Sequence, residues 1–327
     1  MDKVLSYVRS KQADIVDLIR QLVECESPTD DPEAIGRFVR LVADSVSGFA
    51  EVRTVPGGEF GPHLQCIFDS PREQQVEQIL VLGHSDTVWP IGTLERMPLR
   101  ESEGRLWGPG VLDMKSGIAF FIFAMRALHD LELAGHHRVV FQINSDEEVG
   151  SPSSRPLTEE EAKRSSAVLV LEPGEGLDGK LKTARKGFGA YTIRVQGKAS
   201  HAGVDFEGGA SAIVELARQI DVIAGFTDPQ QGITVNPGTI AGGVRPNVVA
   251  AEAVSEVDFR FWKASEVSLI DEKFRQLIPF DKRCTISVEG GVFRPAMERS
   301  PETGRLFSKA KSLAHEMGVE LGESTSG

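Results

Sequence analysis

Four short segments carry the side chains that could do chemistry. GHSDT presents His84 and Asp86, GPGVLDMKSG presents Asp113, NSDEEVGS presents Glu147 and Glu148, and LEPG presents Glu172. One imidazole with several carboxylates suits zinc, or another divalent transition metal, better than an all-oxygen magnesium cage. Asp113 could give one oxygen to each of two metals. His84 and Glu172 would then complete one metal and Glu148 would serve the other. Two dications against Asp113, Glu148, Glu172 and a hydroxide make a site of zero net charge, which limits the desolvation cost. Asp86 lies two residues beyond His84, on the same face of an extended segment, so it can accept the second ring N–H and fix the tautomer. Glu147 adjoins a ligand and need not be one itself. A carboxylate there can take a proton from an activated water and pass it to a leaving nitrogen.

Taken singly, each piece has a plainer reading. DEE in a turn is a solvated acidic surface, Asp113 at a helix start is an N-cap, and Glu172 before Pro173 and Gly174 is a turn residue. The combination depends on the elements that must position it. Ile79 to Leu82 is a continuous apolar run that suits a buried strand ending just before His84. VVFQIN, near 139–144, precedes the acidic pair, and AVLVL, near 167–171, precedes Glu172; both are short, branched and apolar. Ser116 to Leu133 reads as a helix with Gly135 as its C′ residue. Strands alternating with helices predict an α/β domain, a mostly parallel sheet flanked by helices. In such sheets ligands bind outside the carboxyl ends of the strands, and three of the four segments fall where a buried strand ends.

The N-terminal stretch predicts an amphipathic helix, with Ile15, Leu18, Ile19 and Leu22 at i, i+3, i+4 and i+7, ended by Pro28. After Gly179 the pattern changes. AYTIRVQG alternates with period two, a helix follows near Ala210–Ile223, GITVNPGTI and VVAAEAVSEVDFRF alternate again, and a helix near Glu266–Leu277 precedes RCTISVEGG. Strand, helix, strand, strand, helix, strand fits a split βαβ sandwich. Residues 184–291 therefore read as an inserted α+β domain. Residues 1–183 and 292–327 read as the catalytic domain, which the chain re-enters through a helix near Glu302–Met317.

At 327 residues the chain has room for about two domains at ~150 residues each. Its 48 acidic against 36 basic residues give a net charge of -12, which disfavours a nucleic-acid partner. Cys25, Cys66 and Cys284 are odd in number and far apart, so neither a disulfide framework nor a thiolate zinc site is expected. The charged N-terminal segment lacks an apolar h-region, and no apolar run approaches the ~18 residues of a membrane helix. The expectation is a cytoplasmic protein with no membrane partner.

GHSDT, GVLDMKSG, SDEEVGS and LEPG resemble the signature segments of zinc metallopeptidase family 20. This is the family of aminoacylases, acetylornithine deacetylases, succinyl-diaminopimelate desuccinylases and glutamate carboxypeptidases. The likeness continues in ARKGFGAYTIRVQGKASHAG and GGVRPNVVAAEA, and LKTARKG with GKASHAGVDFEGGASA looks most like the glutamate carboxypeptidase branch. The resemblance implies that His84, Asp113, Glu148 and Glu172 are metal ligands with Asp113 the bridge. It makes Glu147 the general acid/base and Asp86 the support of His84. His201 would be a lid histidine that stabilises the oxyanion in the neighbouring subunit's site, and Asn247 and Arg260 would be lid residues that contact substrate. It also implies two zincs per subunit in the complete enzyme, with cobalt or manganese able to substitute, and a homodimer formed through the inserted domain. The substrate would be a small peptide or an N-acyl amino acid with a free carboxylate. The alternatives are an N-acyl-amino-acid deacylase and a non-catalytic metal- or peptide-binding relative. Family chains continue with a Gly-rich SD segment and a final ligand histidine. This sequence stops at LGESTSG, and none of His63, His129, His136, His137 or His315 sits in a matching context. The expectation is a second metal site one ligand short and little activity in the chain as given.

Overall fold

A computed structural model describes residues 2–68, 77–133, 135 and 137–327. They fall into two compact units divided between Pro173 and Gly174. His136 lies outside the described residues.

In the first unit the N-terminal periodicity resolves into two helices, α1 (Asp2–Ser10) and α2 (Gln12–Glu24). Ile15, Leu18, Ile19 and Leu22 are all buried along α2. α3 (Pro32–Val46) starts on Asp31, whose carboxylate accepts from the amides of Glu33 and Ala34. Pro32 takes the first helical position, where an amide has no intrahelical partner to lose. There follow β1 (Glu51–Val55), β2 (His63–Phe68), β3 (Gln78–His84), the short α4 (Thr93–Arg96) and a hairpin of β4 (Arg100–Ser102) and β5 (Arg105–Trp107). The unit continues with α5 (Ser116–Asp130), β6 (Arg138–Asn144), α6 (Arg155–Lys163) and β7 (Ser165–Val170).

Among the described residues the main sheet has the order β1-β2-β6-β3-β7. β1, β2 and β6 pair antiparallel, while β6, β3 and β7 run parallel. The three parallel strands are those that lead into the acidic segments and His84. Strand alternation sorts the two faces. Leu64, Cys66, Phe68, Val81, Phe141 and Ile143 join apolar residues of α2, α3 and α5 in one core cluster. On the other face Ile67, Leu80 and Val140 pack with Ala162 of α6. Beside them Gln65 donates to Gln142, and Gln142 donates to Asn144 and Thr158.

Two sequence expectations need correction here. AVLVL is not a buried strand: β7 is the outer strand of this sheet, and Val170 is 57% exposed. The pattern of branched apolar residues marks a strand but does not say how many neighbours it has. Helix α5 also stops at Asp130, short of Leu133 and Gly135. Glu132, at φ 54°, takes the left-handed position that closes the helix. Its amide donates to the His129 carbonyl at 3.1 Å, and the Leu133 amide donates to the Leu128 carbonyl at 2.8 Å. That is the double bond pattern usually built on glycine, and a glutamate gives no sequence signal for it.

The second unit contains β8 (Leu181–Arg185), β9 (Gly187–Gln196), α7 (Ala212–Ala224), β10 (Thr234–Gly242), β11 (Glu252–Phe261), α8 (Val267–Arg275), β12 (Thr285–Arg294), α9 (Pro301–Glu316) and β13 (Glu323–Ser326). β9 to β12 form an antiparallel sheet in the order β10-β11-β9-β12. Ile193, Val195, Val257, Phe259 and Phe261 of the strands form one core with Leu216, Ile223, Ile270 and Phe274 of α7 and α8. Tyr191 stacks on Phe274 with ring centroids 4.0 Å apart. β8 pairs in parallel with β13, and Arg185 and Met297 exchange backbone hydrogen bonds of 2.9 and 3.0 Å. The two ends of the four-stranded segment are thus adjacent. No helix among the described residues is long and apolar enough to cross a membrane.

The α5 terminus yields a stability prediction. Replacing Glu132 with glycine relieves left-handed strain that outweighs the added unfolded-state entropy, a net gain of about 0.5–1 kcal/mol. Urea unfolding of Glu132→Gly checks this, and a loss of stability contradicts the capping geometry.

Candidate metal centre

His84 ends β3 and is buried, 2% exposed. Its Nε2 lies 3.0 Å from Asp113 Oδ1 and 3.5 Å from Glu172 Oε1. One donor atom from each of His84, Asp113 and Glu172 falls within 4.8 Å of the others. Nδ1 faces the Asp86 main-chain oxygen at 2.9 Å and the Asp86 carboxylate at 3.4 Å. With Nδ1–H donating to that carbonyl, Nε2 is the nitrogen left to face the carboxylates.

Each partner arrives by a local route. Asp113 sits in an irregular turn, Val111–Lys115, that feeds α5; its backbone is extended (φ −115°, ψ 98°) and the peptide to Met114 is cis. The Met114 sulfur accepts from the His84 amide at 3.2 Å, tying this turn to the end of β3. Lys115 of the same motif is buried and donates to the Cys25 carbonyl at 2.9 Å. Burial draws its ammonium down to about 8. Glu172 follows β7, and Leu171 continues the pairing by donating to the Leu82 carbonyl at 3.0 Å. Gly117, in the first turn of α5, passes so close to Leu171 that a Cβ there would run into the Leu171 carbonyl oxygen. Glycine at 117 is what allows the helix and the Glu172 segment to approach.

Asp86 does more than the sequence reading assigned to it. It is 1% exposed. Its Oδ1 accepts from the Glu147 amide at 3.2 Å, and its Oδ2 accepts from the Glu148 amide at 3.1 Å and from the Thr29 hydroxyl at 2.9 Å. One carboxylate therefore couples the His84 segment to the turn that carries both glutamates. Thr29 was not foreseen. Residues 27–29 run beside 85–87, with the Thr87 amide donating to the Ser27 carbonyl and the Ser27 hydroxyl donating to the Ser85 carbonyl. A hydroxyl residue just past a helix end gave no hint of a partner so distant in sequence.

The electrostatics favour a cation. Burial alone lowers the His84 imidazolium, but hydrogen bonds to Asp113, Asp86 and Glu172 outweigh it and hold the group up to about 12. Burial, reinforced by the charges of Asp113, Asp86 and Glu147, raises the Glu148 carboxyl against the opposing pull of His84. Carboxylates gathered this closely retain positive charge, and a dication serves them better than a proton. The donors fit a hard-to-borderline metal: one imidazole nitrogen, carboxylate oxygens and no thiolate.

The second unit holds the remaining sequence candidates. His201 and Asn247 are neighbours: His201 bridges Val248, and the Ala202 amide donates to the Asn247 carbonyl at 3.0 Å. His201 is exposed, and its Nδ1 accepts from the Gly203 amide. Arg260 lies near the far end of β11, opposite Phe188. Its Nε donates to Asp258 at 3.0 Å, and its guanidinium covers the Phe188 ring at 4.9 Å. The structure thus pairs His201 with Asn247 and gives Arg260 an acidic neighbour of its own.

The chain is similar to known peptidases over most of its length. The family model described as a peptidase dimerisation domain of the M20 type matches residues 183–282, and that of peptidase family M28 matches residues 66–187. Carboxypeptidase G2 of a Pseudomonas species is 28% identical over 320 residues, 95% of this chain and 76% of its own length. The crystal structure of aminopeptidase PepT from Bacillus cereus has a TM-score of 0.83 at 21% identity, covering 97% of this chain and 85% of that one. A dinuclear metal-binding peptidase of the M20 family from Bacillus subtilis has a TM-score of 0.69 at 12% identity, covering 98% and 83%. The two structures share the fold, the dimerisation-domain match makes residues 183–282 similar to M20-type peptidases, and the carboxypeptidase relative covers nearly the whole chain. The chain is a metal-dependent hydrolase of peptide bonds.

Proposed function

We propose that the chain is a zinc-dependent, glutamate-carboxypeptidase-like hydrolase that cleaves a peptide or N-acyl amide bond next to an amino acid with a free carboxylate. The observation that carries this reading is the His84–Asp113–Glu172 cluster, with Glu147 and Glu148 fastened beside it through Asp86. The carboxypeptidase relative supports the carboxylate-side specificity. His84, Asp113 and Glu172 would hold one metal, and Asp113 with Glu148 would contribute to a second. A bound dication supplies Lewis acidity to the scissile carbonyl and to the attacking water. Zinc is the ion that an imidazole with carboxylates favours, with cobalt or manganese as substitutes.

The remaining work falls to the chain's own groups. Glu147 takes the proton of the attacking water on its carboxylate and hands it to the leaving nitrogen. Asp86 keeps the His84 ring and the Glu147 and Glu148 amides in fixed relation. His201 with Asn247 is assigned to substrate and oxyanion contacts in the neighbouring subunit's site. Arg260 is assigned to the substrate carboxylate, which a guanidinium grips through parallel hydrogen bonds; Asp258 orients it. We assign 184–291 as an inserted lid and dimerisation domain, and residues 292–327 to the catalytic domain. The adjacency of Arg185 and Met297 supports an insert with neighbouring ends. The dimerisation-domain match supports a homodimer through that insert. Three free cysteines suit the reducing cytoplasm.

Three outcomes test the proposal. Glu147→Gln retains metal and fold but loses ~10²–10⁴-fold in kcat on a panel of dipeptides and N-acyl amino acids; a variant that keeps most of its turnover removes Glu147 from the chemistry. Asp113→Ala costs metal at both positions, whereas His84→Ala affects mainly one, as read by metal analysis after gel filtration. Two retained zincs in Asp113→Ala refute the shared ligand. Replacing residues 184–291 with a short linker leaves an inactive monomer in light scattering, and a dimer would move the interface elsewhere.

A further inference from the structure

Beneath the turn that bears Glu147 and Glu148 lies a buried histidine that the reaction does not use. His63 opens β2 and is 1% exposed; Ser145 and Asp146, at the foot of the turn, are fully buried. The Ser145 amide donates to His63 Nδ1 at 3.1 Å, and the Ser145 hydroxyl lies 2.9 Å from the same nitrogen. A backbone N–H can only donate, so Nδ1 is an acceptor and the ring proton sits on Nε2. Nε2–H then donates to the Ser153 hydroxyl at 3.2 Å, and that hydroxyl donates to Asp146 Oδ2 at 2.7 Å. Asp146 Oδ2 also accepts the amides of Ser153 and Ser154, at 2.6 and 3.1 Å. The turn is thereby closed at its base, from Ser145 across the imidazole to Ser153. A Cβ on Gly57 would lie 2.8 Å from the His63 ring, so the ring is confined on that side as well.

We infer that His63 is a positioning residue whose imidazole clamps the base of the 145–154 turn and so fixes Glu147 and Glu148 at the metal centre. This rests on the proposed roles of those two glutamates. The turn is held from two directions. Asp86 takes the amides at its apex, and His63, through Ser145 and Ser153, fixes the distance between its ends. Removing the clamp leaves the Ser145 amide as a buried donor without its acceptor.

The test uses the full chain in zinc-saturated buffer. In His63→Leu, amide exchange across 145–154 accelerates at least ~10-fold as the turn opens locally. kcat falls by ~10–100-fold, the usual cost of losing an outer support of a metal site, while KM stays within about twofold. His63→Asn, whose carboxamide oxygen can replace Nδ1 as acceptor, recovers most of both. Cys66→Ala, a core cavity on the same strand, lowers the melting temperature without moving either readout. Should His63→Leu fail to fold, Ser153→Ala cuts the second leg of the clamp and gives the same pattern in weaker form. Wild-type exchange and wild-type kcat in His63→Leu, or in Ser153→Ala in its place, overturn the inference. If the wild-type chain hydrolyses nothing, as an incomplete second metal site would give, the exchange arm alone decides: acceleration across 145–154 in His63→Leu supports the clamp and wild-type exchange overturns it.

Discussion

The constraint on which the site depends is the confinement of like charges. Asp113 and Glu172 present oxygens to one buried imidazole within 4.8 Å, with Asp86 directly behind it. Carboxylates so close together repel one another, so such a cluster is favoured around positive charge. The same carboxylates hold the His84 imidazolium up to about 12 against the opposing effect of burial. A divalent ion balances them more fully than a proton does, and the rest of the first unit can be understood as a frame that keeps the acids from relaxing apart.

That frame is built from strand ends. β3, β6 and β7 run parallel, so their carboxyl ends lie on one edge of the sheet, and His84, the glutamate turn and Glu172 are delivered there together. The turn leading into α5 brings Asp113 to the same edge, fastened by the Met114 sulfur on the His84 amide and by the close pass of Gly117 against Leu171. Asp86 binds the parts to one another, since its two oxygens take three donors from two distant segments besides facing His84. Chemistry that tolerates little displacement is thus carried by short loops, each tied to a rigid strand.

Much of this was legible in the residues. The apolar runs before GHSDT, NSDEEVGS and LEPG located the three strands, and the period-two segments after Gly179 gave the β-α-β-β-α-β order of the second unit. What stayed hidden has physical reasons. The exposure of β7 depends on how many strands flank it, which its own composition does not encode. The end of α5 is closed by Glu132, a residue type without a capping signature. Thr29 and His63 are single polar side chains whose partners lie 57 and 82 positions away, and neither spacing nor period reports such pairs. The clearest gap was Asp86: alternation predicted its place behind His84 but not its grip on the glutamate turn, which needs the backbone of a loop in space.

The proposal that His84 and its carboxylates hold a metal through nitrogen and oxygen is tested most directly by X-ray absorption at the zinc edge of the zinc-loaded chain. The predicted result is a shell of nitrogen and oxygen at ~2.0–2.2 Å with the outer scattering of an imidazole and no sulfur. A sulfur shell at ~2.3 Å, or zinc that washes away on gel filtration, would contradict it.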